Sequence, residues 1–331
     1  MATPTSTIPS ERGTQLTRGT GAPVLVVAPT SDLHARAVVE ALGRHGVNVE
    51  WADLAALKEA ARLTLALDDV ADAHLTTATD RKVRLSEVGT IWWRRPRRPR
   101  DDADLDEEIR TFVRGEWEHF LESLEAFTEV RWVNPPGANR LASRKGFQLV
   151  AARKEGLRVP QTVMTNDPRA VRALAAEGTP LIYKRIGAAP RPLTATKALT
   201  TADLGRLDTL PNCPALFQER IDARFDIRVT AIGADLYATE IDSQAGESPL
   251  DWRYDHTVGF RPHALDQGVS ERLRSLMRRL SLAYGAIDLR LTLEGEYVFL
   301  EVNPSGQYLF VELLTGVPLS ERMAEFLARG S

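Results

Sequence analysis

Val24 to Ala28 is an unbroken apolar run, the pattern of a strand covered on both faces in a parallel sheet. Ser31 and Asp32 follow as helix caps, and Gly43 or Gly46 can close that helix before a second strand at Val47 to Trp51. Together they predict a βαβ start. A further strand is expected over Gly89 to Arg95, leading into a basic extended loop, Pro96 to Arg100, and then the acidic stretch Asp101 to Asp106. Beyond it the pattern predicts a helix over 105–127, a strand entering Asn134 and Pro135, and one helix over 138–155 that stops at Gly156. A strand around 159–164, a helix around 168–176 and a strand at 180–185 come next. Strands dominate from 215 to 260. A helix over 269–284, a hairpin and two short helices close the chain. Residues 1–22 are rich in Thr, Ser, Gly and Pro without periodicity and read as a disordered leader.

Composition narrows the function classes. A net charge of −3 over 331 residues provides no cationic field, so neither nucleic acid nor a membrane surface is an expected partner. No apolar run reaches the length of a membrane span, and the leader lacks the apolar core of a signal peptide, so a cytoplasmic location is expected. One cysteine, Cys213, excludes an internal disulfide framework and a cysteine-built zinc site. The six His residues (34, 45, 74, 119, 256 and 263) have no metal-ligand spacing and read as surface or packing residues. The turn after Ala28 is Pro-Thr-Ser-Asp, without the glycines of a dinucleotide site. Only six of the 42 basic residues are Lys, so each Lys is worth following.

The most informative pattern lies between Gly285 and Asn303. Two alternating runs flank Glu294-Gly295, which suits a two-residue hairpin turn. In that register Asp288 faces Glu301 across the ladder, and Asn303 shares the face of Glu301. Ile287, Leu289, Leu300 and Val302 then form the buried side. Facing carboxylates repel unless a cation or a proton lies between them. Two carboxylates and an amide oxygen suit Mg²⁺ shared with phosphates. The spacing alone equally allows a solvated hairpin, or a pair with Arg290.

The run Gly285 to Asn303, followed by Pro304-Ser305-Gly306-Gln307, resembles the C-terminal metal-binding segment of ATP-grasp ligases. Ile91 to Pro96, the Trp132-Val133-Asn134-Pro135-Pro136 run and the ending Glu301 to Tyr308 resemble more narrowly the ATP-grasp maturases of ribosomally made peptides, the graspetide or microviridin-type macrocyclases. The resemblance implies an α/β fold of α+β elements. An N-terminal βαβ pre-ATP-grasp domain (23–131) precedes central (132–214) and C-terminal (215–331) ATP-grasp parts. It implies ATP and Mg²⁺ as cofactors, with Asp288, Glu301 and Asn303 on the metal. Lys145 and Lys184 match the family's two phosphate-side lysines. The small-residue loop Gly187-Ala188-Ala189 would cover the phosphates. Gln218, Glu219, Arg220 and Ile221 match the hinge that reads the adenine edge and binds the ribose, and Asp226 joins the nucleotide set. Arg228, Arg253 and Arg290 are the implied catalytic cations around the transferred phosphoryl group. Trp93, Arg94 and Arg95 are the implied cleft wall for an acidic substrate side chain.

The implied activity is an ATP-dependent carboxylate ligation, amide- or ester-forming and ADP-releasing. A side-chain carboxylate of a precursor peptide becomes an acyl phosphate, and a hydroxyl or amine of the same peptide displaces phosphate. The implied partner is that precursor, with a leader and a core of acidic and hydroxyl residues; a homodimer stays open. Two alternatives stand beside this: an amino-acid or glutamate ligase joining separate molecules, and a nucleotide-binding regulatory module without catalysis.

Overall fold

The computed structural model describes residues 21–57, 61–77, 80–99, 104–127, 130–187, 196–255 and 257–329. The expected leader lies outside the described residues except for 21 and 22, as do Ala188 and Ala189 of the expected phosphate loop and residues 100–103 of the basic-to-acidic stretch. No helix among the described residues is long and apolar enough to cross a membrane.

The chain begins with β1 (Val24–Val27), α1 (Leu33–Arg44) and β2 (Val49–Ala52). Asp32 caps α1 by accepting from the Ala35 N–H at 3.0 Å. Three short strands follow, β3 (Arg62–Thr64), β4 (His74–Thr76) and β5 (Lys82–Arg84), as an antiparallel sheet that the hydrophobic pattern does not announce. Then come β6 (Thr90–Trp93), α2 (Glu107–Glu122) and β7 (Arg131–Val133). Strands β2, β1, β6 and β7 form one parallel sheet in that order. Its two faces bury alternate residues. Val24, Val26 and Trp92 pack with α1 on one side, and Leu25, Val27, Ile91 and Trp93 pack with the small sheet and the end of α2 on the other.

Residues 136–154 form two helices, not one: α3 (Pro136–Ala142) and α4 (Lys145–Lys154), broken at Ser143 and Arg144. The break puts Lys145 on the first turn of α4. Strands β8 (Thr162–Thr165), β9 (Leu181–Lys184), β10 (Lys197–Ala198) and β11 (Ala215–Glu219) form an antiparallel sheet ordered β10-β9-β11-β8. Two helices lie along this stretch, α5 (Pro168–Ala176) and the short α6 (Thr201–Leu204). The last large sheet has five antiparallel strands. They are β12 (Phe225–Ile232), β13 (Asp235–Ile241), β14 (Phe260–His263), β15 (Tyr284–Leu291) and β16 (Tyr297–Asn303), ordered β14-β13-β12-β15-β16. Helix α7 (Gln267–Arg279) precedes β15, and α8 (Leu309–Thr315) and α9 (Leu319–Ala328) end the chain.

Packing crosses the expected borders. β7 completes the first sheet, so residues 131–133 belong there. Leu149, Ala151 and Ala152 of α4 join Ile227, Val229, Ile287 and Phe299 in one core, so α4 covers the five-stranded sheet. β11 pairs with β8 and β9, not with β12. Helix α9 lies on the N-terminal sheet, with Leu319, Met323, Ala324 and Leu327 beside Val38 and Trp92. An amphipathic helix must bury its stripe somewhere, and sequence alone does not say where.

Candidate active site

The site is built around the β15–β16 hairpin. Asp288 pairs with Glu301 as the pattern predicts, through two deviations that cancel. The turn is longer than expected: Thr292 N–H donates to the Glu296 carbonyl at 2.9 Å, and Gly295 has φ +85°, the left-handed conformation such a connection needs. That shifts the register by one residue. A β-bulge beside Asp288, which leaves Leu300 without an opposite residue, shifts it back. Phe299, fully buried, takes the core place expected of Leu300.

Cations surround the carboxylate pair. Lys145 Nζ donates to Glu301. Arg253 Nη1 lies 3.8 Å from the same carboxylate, while its other nitrogens hold Asp251 at 2.7 and 2.6 Å. Burial alone would raise the Glu301 carboxyl; Lys145, Lys184 and Arg253 outweigh it and bring it down to about 2. Burial pulls the Lys184 ammonium down to about 8, opposed by Glu301 and reinforced by Lys145 and Arg253. Burial raises the Asp288 carboxyl, and Arg228 pulls against it. Arg228 Nη1 donates to both Asp288 oxygens at 2.8 and 2.9 Å, and its Nη2 to the Gln307 carbonyl at 2.9 Å.

These residues fit a divalent cation. Asp288 and Glu301 present carboxylate oxygens opposite one another, and Asn303 adds an exposed amide two residues further along β16. An oxygen-only set of this kind suits Mg²⁺. Glu301 carries its negative charge throughout the neutral range, as its low pKa requires.

Other expected site residues lie elsewhere. Arg290 is buried, with Nε on Asp226 at 3.1 Å, Nη1 on the Ile221 carbonyl at 2.7 Å and Nη2 on the Pro249 carbonyl at 2.5 Å. All three guanidinium nitrogens are engaged there. Asp226 also accepts from the Ser243 hydroxyl, so it is half of a buried ion pair. Trp93 packs against Trp132 in the core, 6.0 Å between rings, and forms no cleft wall. Arg94 is 1% exposed and bound to backbone, leaving it no surface for a substrate, whereas Arg95 is exposed. Gly187 is exposed at the last described position of its loop.

At the hinge, Glu219 N–H donates to Gln161 at 2.8 Å and Arg220 N–H to Pro180 at 2.8 Å. The Glu219 carboxylate accepts from the Gln161 N–H at 3.1 Å and lies 3.5 Å from Arg158. The Gln218 side chain donates to Thr162 at 2.8 Å, and Arg220 to Asp222 at 3.2 Å.

Two residues position the site without any signal in the hydrophobic pattern. Gln148, on α4, donates to the Val302 carbonyl at 3.0 Å and accepts from its N–H at 2.8 Å, which locks the Lys145 helix to the Glu301 strand. Buried Asn134 donates to the Tyr284 and Pro304 carbonyls at 2.8 and 3.0 Å and accepts from the Ala283 and Tyr284 N–H groups. A polar residue that satisfies buried backbone is recognised only once the backbone around it is known.

No protein-family model matches the sequence, and a search of curated proteins finds no relative. Solved structures do match. The macrocyclase MdnC from Microcystis aeruginosa MRC, bound with precursor peptide MdnA, is 27% identical at a TM-score of 0.83, over 92% of this chain and 99% of its own. The RiPP-associated ATP-grasp ligase of Chryseobacterium gregarium, in complex with ADP and a leader and core peptide, is 26% identical at 0.83, over 93% and 97%. The chain has the ATP-grasp fold. It resembles the ATP-grasp ligases of ribosomally made peptides, as its motifs imply. The macrocyclase MdnB from the same Microcystis is similarly related, 25% identical at a TM-score of 0.77 over 94% of this chain and 100% of its own. In this ATP-grasp chain the Lys145, Lys184 and Arg253 cluster stands where α4, β9 and the segment before β14 meet the β15–β16 hairpin.

Proposed function

We propose that the chain is an ATP-dependent, Mg²⁺-requiring ligase that closes an ester or amide within a ribosomally made precursor peptide. The observation that carries it is the clustering of Lys145, Lys184 and Arg253 on Glu301, opposite Asp288. The similar structures that hold ADP and precursor peptides support the substrate class.

Mg²⁺ held by Asp288, Glu301 and Asn303 would neutralise phosphate charge when bound. The chain's own residues account for the rest. At the hinge, the Glu219 and Arg220 N–H groups and the Ile221 carbonyl are engaged. Among the described bonds the Glu219 and Arg220 carbonyls and the Ile221 N–H stay unused, and the Arg220 carbonyl with the Ile221 N–H offers an acceptor and a donor to the adenine edge. Lys145, Lys184 and Arg253 hold the phosphates. An Asp or Glu side chain of the peptide attacks the γ-phosphorus, and ADP leaves. A Thr, Ser or Lys side chain then attacks the acyl carbon of the acyl phosphate, phosphate leaves, and the nucleophile's proton passes to solvent. No covalent protein nucleophile is required, so the contribution is positioning and charge stabilisation.

The test is the mass of a precursor peptide after incubation with the protein, ATP and Mg²⁺. One water, about 18 Da, leaves per bond formed, because ATP drives a condensation. A gain of one residue's mass would favour ligation of separate molecules.

Lys184 makes nucleotide binding pH-dependent. Its free-protein value of about 8 rises when phosphate arrives, so the bound form carries more protons and affinity falls as pH climbs above 8. Calorimetry of ADP binding in two buffers of different ionisation enthalpy reads this directly. Proton uptake should be clearly larger at about pH 8.5 than at about pH 7. Lys184→Arg should lose the extra uptake at about pH 8.5. Equal proton uptake by that variant and the wild type would assign the proton to another group.

A further inference from the structure

The segment Pro304 to Leu309 leaves β16 just after Asn303, and side chains from five other places in the chain hold its backbone. Asn134 binds the Pro304 carbonyl at 3.0 Å. Arg94 Nη1 binds the Ser305 and Gly306 carbonyls at 2.9 and 2.7 Å. The Tyr284 hydroxyl donates to the Gly306 carbonyl at 2.8 Å. Arg228 binds the Gln307 carbonyl at 2.9 Å. The Leu309 N–H donates to His34 Nδ1 at 3.3 Å; burial first, then Arg94, brings that imidazole down to about 4, so at neutral pH it is an acceptor. Gly306 itself has no room for a side chain, since an added Cβ would collide with the Ala286 methyl.

Arg94 stands out within this set. It sits just past the end of β6, is 1% exposed, and reaches the segment that links Asn303 to the Arg228 contact at Gln307. Asp32 Oδ2, 3.5 Å from its Nε, matches its charge. One nitrogen gripping two successive carbonyls fixes the orientation of both peptide groups. A lysine, with a shorter reach, does not reproduce that grip.

We infer that Arg94 is a positioning residue for the metal and phosphate end of the cleft, acting through the Ser305–Gly306 turn on Asn303 at one side and on Arg228 and Asp288 at the other. It links the N-terminal sheet to the metal-side residues, which explains why an arginine is buried where a substrate cannot touch it. This rests on the ligase reading for what the cleft holds.

The experiment is calorimetry of ADP binding with and without Mg²⁺ on full-length Arg94→Lys and wild-type protein, with melting temperatures alongside. The gain in ADP affinity conferred by Mg²⁺ should fall about tenfold in the variant while metal-free affinity stays within about twofold, the behaviour of a residue behind a metal ligand. Tyr284→Phe removes the other grip on Gly306 and should move the same quantity in the same direction, which keeps the test decisive if Arg94→Lys folds poorly. A lowered melting temperature with the Mg²⁺-dependent gain intact in both variants would overturn the proposal, leaving a purely structural arginine. Equal loss with and without Mg²⁺ would overturn it too. Wild-type protein that binds no ADP under either condition would instead overturn the nucleotide reading, and this proposal with it.

Discussion

Glu301→Gln is expected to lose about 10³-fold in peptide-dependent ADP release while keeping the wild-type fold. The substitution preserves shape and removes one charge. That charge is present at every working pH, because Lys145, Lys184 and Arg253 overcome burial and hold the carboxyl down to about 2. Without it, three cations face one another with only Asp251 and Asp288 nearby, and the expected metal loses a ligand. Glu301 is half-buried, not sealed in the core, so the fold tolerates the amide. Circular dichroism and the melting temperature should stay close to wild type while ADP release collapses. Near-normal turnover would falsify the assignment of Glu301 to the metal and phosphate site.

Arg290→Met should fail in the opposite way, through stability. Arg290 binds Asp226 and two carbonyls, one of them from Ile221 at the hinge. Burial already raises the Asp226 carboxyl, and Arg290 is the main group pulling against it. Breaking one side of a buried ion pair costs about 3–5 kcal/mol, which for a fold of this size lowers the melting temperature by roughly 10 °C. Adding Asp226→Asn to Arg290→Met should recover part of that loss, because the stranded carboxylate goes as well. The protein that remains folded should release ADP within about threefold of wild type, as expected of a group that meets no reacting atom. An unchanged melting temperature with abolished ADP release would return Arg290 to the catalytic cations.

The contrast between these residues shows what a sequence conveys. Strand alternation puts Asp288, Arg290 and Asp226 within reach of a common face, but not which partner each finds. In the structure the pairings Arg228 with Asp288 and Arg290 with Asp226 repeat the strand register of β12 and β15. Only the first of these pairs borders Glu301. The facing of Asp288 and Glu301 is legible, yet it depends on a longer turn and a bulge that compensate, neither of which leaves a pattern in the residues. Trp92 and Trp93 lie in the strand expected over Gly89 to Arg95, and the resemblance implies a cleft wall at Trp93. Both are buried, because α1 and α9 cover one face of the sheet and the small antiparallel sheet the other. The position of α9 is a long-range choice that no local periodicity encodes. The roles of Asn134, Gln148 and Arg94 are hidden for a related reason: their work is to satisfy backbone groups far away in the chain, 150 residues for Asn134 and Tyr284.

ATP cleavage in this cleft is expected to be coupled to bond formation inside a single peptide. The most direct measurement counts both products in one reaction: ADP by chromatography, and water lost from the precursor by intact mass. The peptide to test is any short one encoded beside this chain that carries clustered Thr or Ser and Asp or Glu. One ADP is expected for each loss of about 18 Da, with neither product formed when Mg²⁺ is removed. ADP released while the peptide mass stays unchanged, or rises by an added residue, would contradict it.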